Sequence, residues 1–138
     1  MKLTTFCILI IFIFFCSEAY AQSRYRKHSG KKPYYPGLIL YGKASFYAEK
    51  FHGKKTASGE IFSQKKFTAA CNDLPLNTWI QVANLNNDKI TVVKTNDRLA
   101  PESKRLIDLS RAAAKKLGFI SSGTAKVKIE VLDQSLYK

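Results

Sequence analysis

The sequence predicts a mainly β domain, with about six short strands closed into a small barrel and one short helix. Three observations predict it. Residues 125–131 alternate Ala125, Val127, Ile129 and Val131 with Lys126, Lys128 and Glu130, the period of a strand with one buried and one wet face. Residues 79–85 and 90–95 flank Asn86-Asn87-Asp88, types that tolerate the left-handed backbone of a tight connection, so the pair reads as a β-hairpin. So many strands within about 95 residues would leave open edges that invite aggregation, and closing the sheet removes them.

Taken in order, the chain begins with an export signal. Lys2 supplies a positive start, residues 6–16 are an unbroken apolar run, and Ala19-Tyr20-Ala21 offers small residues for cleavage before Gln22. Residues 1–21 are therefore expected to be a signal peptide, and the protein to work in the periplasm or as a secreted product. The apolar run falls short of the roughly 20 residues that a membrane-crossing helix needs, so no transmembrane span is expected in the mature form. The bulky Phe15 before Cys16 disfavours a lipoprotein form. Residues 22–37 carry Arg24, Arg26, Lys27, Lys31 and Lys32 with no acid, and read as a disordered basic tether ahead of a domain spanning 38–135.

Within that domain, residues 42–48, 59–62 and 67–71 are short extended candidates. The hairpin follows, with Asp97 expected just beyond a strand end. Ser110 can cap a helix over 111–117, whose Ala112, Ala113 and Leu117 share a face with the preceding Leu109; Lys115 and Lys116 suit its negative end and Gly118 its exit. Trp79 reads as barrel core, while Phe46, Tyr47 and Phe51 are candidates for a sugar platform.

The chain holds 23 Lys+Arg against 10 Asp+Glu, a net charge of +13, and removing Lys2 with Glu18 leaves that balance unchanged. Such charge favours a polyanionic partner; nucleic acid fits the charge but not the export signal, whereas an anionic cell wall fits both. Cleavage would leave Cys71 alone, so no disulfide framework is expected, and Cys71 reads as a small buried hydrophobe. With His28 and His52 the two histidines, no zinc constellation is visible, and no cofactor or metal is expected.

Chemistry on a glycosidic bond needs a carboxyl group. Glu49, Asp73, Asp88, Glu102, Glu130 and Asp133 sit in polar or turn contexts and read as solvated surface. Glu60, Asp97 and Asp108 stand out. Glu60 can equally be an exposed strand residue, Asp97 a turn residue paired with Arg98, and Asp108 a structural carboxylate bonding backbone amides near the helix start. Position at a strand end keeps Asp97 open as a functional residue.

Several stretches in series, Gly42-Lys43-Ala44-Ser45-Phe46-Tyr47, residues 51–60, Thr68-Ala69-Ala70, Leu74-Pro75-Leu76-Asn77-Thr78, Asn96-Asp97-Arg98 and residues 107–114, resemble in order and spacing the motifs of the rare lipoprotein A (RlpA) family. The resemblance covers roughly residues 40–132. It implies a six-stranded double-psi β-barrel similar to the first domain of expansins, and a septal peptidoglycan lytic transglycosylase that prefers glycan strands stripped of peptides. The family's catalytic aspartate falls on Asp97 and its supporting glutamate on Glu60. Tyr47, His52, Asn96 and Arg98 are the expected substrate-binding residues, and Asp108 and Cys71 the structural ones. The family's histidine after Thr-Ala-Ala falls on Cys71, and its Gly-Pro-Phe after Asn96-Asp97-Arg98 is replaced by Leu99-Ala100-Pro101. The implied mechanism uses one carboxyl as acid and then base, closing a 1,6-anhydro ring without water. Expected partners are peptidoglycan glycan strands and division-site proteins, with the protein acting as a monomer peripheral to the envelope. The competing function is an expansin-like module that binds wall polysaccharide without cutting it.

Overall fold

The computed structural model describes residues 35–137; the expected signal peptide and nearly all of the expected tether lie outside them. Six strands are formed, β1 (Ile39–Phe46), β2 (Thr68–Cys71), β3 (Trp79–Asn84), β4 (Ile90–Asp97), β5 (Ile107–Leu109) and β6 (Ala125–Val131), with one α-helix among the described residues, α1 (Arg111–Leu117). They close in the order β1-β5-β2-β4-β3-β6, and β6 returns to β1. β1 runs parallel to β5 and β2 parallel to β4, while the other four pairings are antiparallel. The fold is a double-psi β-barrel with one short helix, as expected.

Alternation sets which residues fill it. Ile80 and Val82 of β3, Val93 of β4, Ile107 and Leu109 of β5, and Val127 and Ile129 of β6 are all fully buried in one cluster. Each such side chain contributes about 1.5–3 kcal/mol by leaving water. β2 shows no alternation because all four of its residues are buried, enclosed on both faces. Helix α1 presents Ala113, Ala114 and Leu117 to the same cluster. Ser110 caps it by accepting from Ala113 N at 3.4 Å, and Gly118 ends it at φ 74°, a left-handed conformation that also sits where a Cβ would meet Asn87 Nδ2 at 2.9 Å. Asn84, at the end of β3, is buried and donates to Leu117 O at 2.9 Å, so the hairpin anchors the helix exit.

Four expectations need correction. Residues 59–62 form no strand; Lys55 and Ile61 make an isolated bridge across a loop. Asp97 is the last residue of β4 and so belongs to the strand. Asp108 sits in β5, a strand too short to leave a periodic signal. Trp79 is half-buried outside the core, stacked on Tyr137 with ring centroids 5.1 Å apart, because it faces outward from β3 between buried neighbours Thr78 and Ile80.

Candidate functional site

The register places Ser45, Asp108, Ala70 and Asp97 at one level around the wall, on β1, β5, β2 and β4 in turn. An irregularity in the β2–β4 pairing falls between Ala69 and Ala70, beside Asp97. β1 then delivers Tyr47, whose amide donates to Leu109 O at 3.0 Å, to the same end of the barrel.

Asp97 is half-buried and fixed by three donors. Oδ1 accepts from Ala57 N at 2.9 Å and from Arg98 N at 2.8 Å, and Oδ2 accepts from the Tyr47 hydroxyl at 2.9 Å. A carboxylate offers about four acceptor positions. Two amides occupy Oδ1, and Oδ2, which accepts from Tyr47, keeps one acceptor position not used among the described residues. The Tyr47 phenol is pushed well above its usual range, first by burial and then by the charge of Asp97, so it remains a neutral donor. Its ring packs on Phe62 at 4.3 Å and meets the exposed Phe51 edge-on at 5.8 Å, giving an aromatic wall beside the carboxylate.

Glu60 reaches this neighbourhood on a loop stitched to β4. Ser58 N donates to Asn96 O at 3.0 Å and Thr56 N to Glu60 O at 2.8 Å, closing the turn that presents the side chain. Its Oε2 accepts from Asn96 Nδ2 at 3.0 Å and its Oε1 from Lys94 Nζ at 3.1 Å. These bonds, Asn96 first and Lys94 second, hold its carboxyl below the usual glutamate range. The arrangement is thus two oriented carboxylates linked through adjacent residues of one strand, the first held by a phenol and two backbone amides and the second by an amide and a lysine that favour its ionised form.

The remaining expected residues fall elsewhere in this frame. Asn96 is 2% exposed with its amide given to Glu60, so it positions a carboxylate and presents no face to solvent. Arg98 sends its guanidinium to the Cys71 carbonyl rather than to Asp97. His52 is exposed and accepts from Gln64 N at 3.1 Å through Nδ1. Cys71 lies fully buried in the core, and burial pushes its thiol up, so it is an uncharged packing group. Asp108 bonds no backbone amide among the described residues; Arg105 grips it with a two-pronged contact at 2.7 and 2.9 Å. The loop carrying Leu99 is pinned by Asn72, which accepts from Leu99 N at 3.0 Å and donates to Leu99 O at 3.2 Å.

Sequence reasoning missed Lys94, Arg105 and Gln64. Gln64 is buried; it donates through Nε2 to Tyr47 O at 2.9 Å and accepts from Arg111 N at 2.8 Å, tying the Tyr47 segment to the start of α1. A lone glutamine in a run of Ser and Lys carries no signal of such a role.

Comparison with known proteins gives these carboxylates a setting. Residues 40–129 match the family described as lytic transglycolase. Curated relatives called endolytic peptidoglycan transglycosylase RlpA include those of Haemophilus influenzae, 52% identical over 68% of this chain and 33% of the relative, and Vibrio cholerae, 50% identical over 70% and 36%. The chain therefore spans about a third of the length of the relatives it matches. Among solved structures, a Streptomyces papain inhibitor is similar with TM-score 0.60 at 21% identity, covering 73% of this chain and all of the other. A Clavibacter michiganensis expansin in complex with cellohexaose is similar with TM-score 0.54 at 14% identity, covering 70% and 52%. At such identities these structures share the barrel, and their ligands and activities are their own.

Proposed function

Because the chain belongs to the RlpA-like lytic transglycolase family of double-psi β-barrels, we propose that it cleaves peptidoglycan glycan strands as a lytic transglycosylase. The observation that carries this reading is the Asp97 carboxylate, oriented by Tyr47, Ala57 and Arg98 with a single open position on Oδ2. In the proposed step, protonated Oδ2 donates to the glycosidic oxygen as its bond to the anomeric carbon breaks. The same oxygen then takes the proton of the muramic C6 hydroxyl as O6 bonds that carbon, closing a 1,6-anhydro ring with no water consumed. Glu60, held ionised by Asn96 and Lys94, offers negative charge to the positive charge developing on the sugar. Tyr47 and Phe51 supply a sugar-facing wall.

The setting proposed is the envelope: residues 1–21 direct export, and the net charge of +13 holds the mature protein at an anionic wall with a salt-weakened attraction. The preferred substrate is a strand stripped of peptides, acted on during wall remodelling at the septum. The test is to incubate purified mature protein with peptide-free glycan strands and identify product ends by mass spectrometry. Anhydromuramic ends are expected. Plain reducing ends would mean a hydrolase, and sedimentation with the strands without any product would mean an expansin-like binding module.

A further inference from the structure

The outer face of β4 carries a groove of about 370 Å³, lined by Phe67, Trp79, Ile90, Thr91, Val92 and Lys116. None of these residues has a part in the cleavage step proposed above. We propose that this groove is a further saccharide subsite, whose aromatic rings hold sugars of the glycan strand beyond those at Asp97; that the ligand is a glycan rests on the proposed function, while the groove itself does not.

Strand alternation builds the groove. Ile90, Val92 and Lys94 face out of the barrel, while Thr91, Val93 and Thr95 between them are buried. Trp79 stands directly opposite Lys94 on β3, and Phe67, whose carbonyl accepts from Lys94 N at 3.1 Å, flanks β4 on its other side. Two aromatic residues thus border a floor of Ile90 and Val92. Tyr137 backs the Trp79 ring at 5.1 Å and fixes its plane. Phe67 is 40% exposed and Ile90 52% exposed, and Phe67 pairs with no other ring among the described residues. Apolar surface gathered in water at one place marks a binding face.

Position decides what binds there. Hydrogen bonds and strand pairing lead without a break from Tyr47 through Asp97, Asn96, Glu60 and Lys94 to Trp79. The side chains of Glu60 and Lys94 are both partly exposed, so a chain can pass over them. Such a chain meets aromatic surface on either side of the carboxylates, Tyr47 and Phe51 on one and Trp79 and Phe67 on the other. From Ile90 to Lys94 the strand runs about 13 Å, room for more than one sugar ring. A pyranose has an apolar C–H face that lies on an aromatic ring, and its hydroxyl and acetamido groups reach outward to water and to a polar rim, here Lys116. Other occupants fit this groove poorly. β4 is paired along both edges, so no peptide strand can add to it. A stable protein interface takes about 20–30 residues a side, far more than line this groove.

Trp79 is the chain's one tryptophan, so its fluorescence reports on this groove directly. Peptide-free glycan strands are titrated into mature protein carrying Asp97→Asn, and quenching of Trp79 by acrylamide is followed. Bound strands are expected to shield the ring and lower the quenching. Phe67→Ala combined with Ile90→Ser, both at exposed positions and with Trp79 kept as reporter, is expected to weaken strand binding about 5-fold. With Asp97 restored, the same pair of changes should raise KM for strand cleavage more than it lowers kcat, because the groove touches only sugars remote from the reacting bond. The Tm of the double variant checks that it is folded, and the shielding of Trp79 in the unaltered groove stands without it. Strands that bind or are cut without shielding Trp79, or unchanged affinity in a folded double variant, overturn the proposal. So does shielding that grows with protein concentration alone, since that makes the groove a contact between two copies of the chain. Cleavage by the protein with Asp97 intact is scored separately: shielding of Trp79 without anhydromuramic ends breaks only the proposed function, and anhydromuramic ends without shielding break only this inference.

Discussion

Asp97 and Asp108 flank Ala70 at one level of the barrel wall, one strand to either side, yet their surroundings are opposite in kind. Asp108 is gripped by the Arg105 guanidinium through both oxygens. Asp97 pairs with no cationic side chain among the described residues and is held by a phenol and two backbone amides. A two-pronged arginine contact neutralises a carboxylate and occupies the geometry that a ligand would need. Neutral donors fix orientation and leave the charge available. The difference teaches that, of two aspartates at one level of a sheet, the fold neutralises one in an ion pair and holds the other by neutral donors alone, which is what lets Asp97 carry the proposed role.

Substitution of Asp97, the proposed proton carrier, is the strongest way to break this contrast. Asp97→Asn keeps an acceptor for the two amides but removes the proton carrier, so formation of anhydromuramic ends should fall about 10²- to 10⁴-fold with little change in Tm. Activity retained at the wild-type rate would reassign the chemistry. Next comes Tyr47→Phe, which removes the donor to Oδ2 while keeping the ring on Phe62. A hydrogen bond to a charged group carries about 1.5–3 kcal/mol, so the rate should drop roughly 10- to 100-fold, with kcat falling more than KM changes. Arg105→Ala should act the other way round. It leaves Asp108 without its partner and should lower stability by about 0.5–1.5 kcal/mol in denaturant titration, discounted because Arg105 is 43% exposed, while disturbing cleavage less than Tyr47→Phe does. If Arg105→Ala abolished cleavage and Asp97→Asn spared it, the two aspartates would have to exchange roles.

The same contrast marks what could be read in the sequence. β6, the β3–β4 hairpin and α1 were legible because each declares itself locally, through alternation, a turn of Asn and Asp, or a Ser110 cap with a Gly118 exit. Asp97 and Glu60 were legible as candidates because the surrounding motifs resemble a family in series. Their partners were not. Tyr47 and Asp97 are 50 positions apart, and Lys94 and Glu60 are 34 apart, joined by barrel closure and by a loop whose bonds are mostly backbone. β5 escaped because Ile107-Asp108-Leu109 is too brief to show a period, and with it the Arg105 grip that distinguishes Asp108 from Asp97. Trp79 misled because a large aromatic beside buried neighbours reads as core, whereas strand alternation turns it outward.

The smallest expected effect tests the second carboxylate of the site. Asn96 and Lys94 lower the proton affinity of Glu60 from the ordinary value of 4.5, which means that the folded state favours its ionised form. Stability from such a group is complete above the unfolded-state pKa and is lost as pH falls through the lower folded-state pKa. Wild type should therefore lose Tm more steeply than Glu60→Gln as pH drops below about 4.5, the two curves running parallel near neutrality. The Glu60 side chain is 38% exposed and its contact with Lys94 is screened by solvent, so the difference should stay within about 0.5 kcal/mol and shrink in salt. Curves that stay parallel down to acid pH would show that Asn96 and Lys94 do not hold the charge in place. Glu60 would then lack the fixed negative charge assigned to it, and Asp97 would act beside a carboxylate free to take up a proton itself.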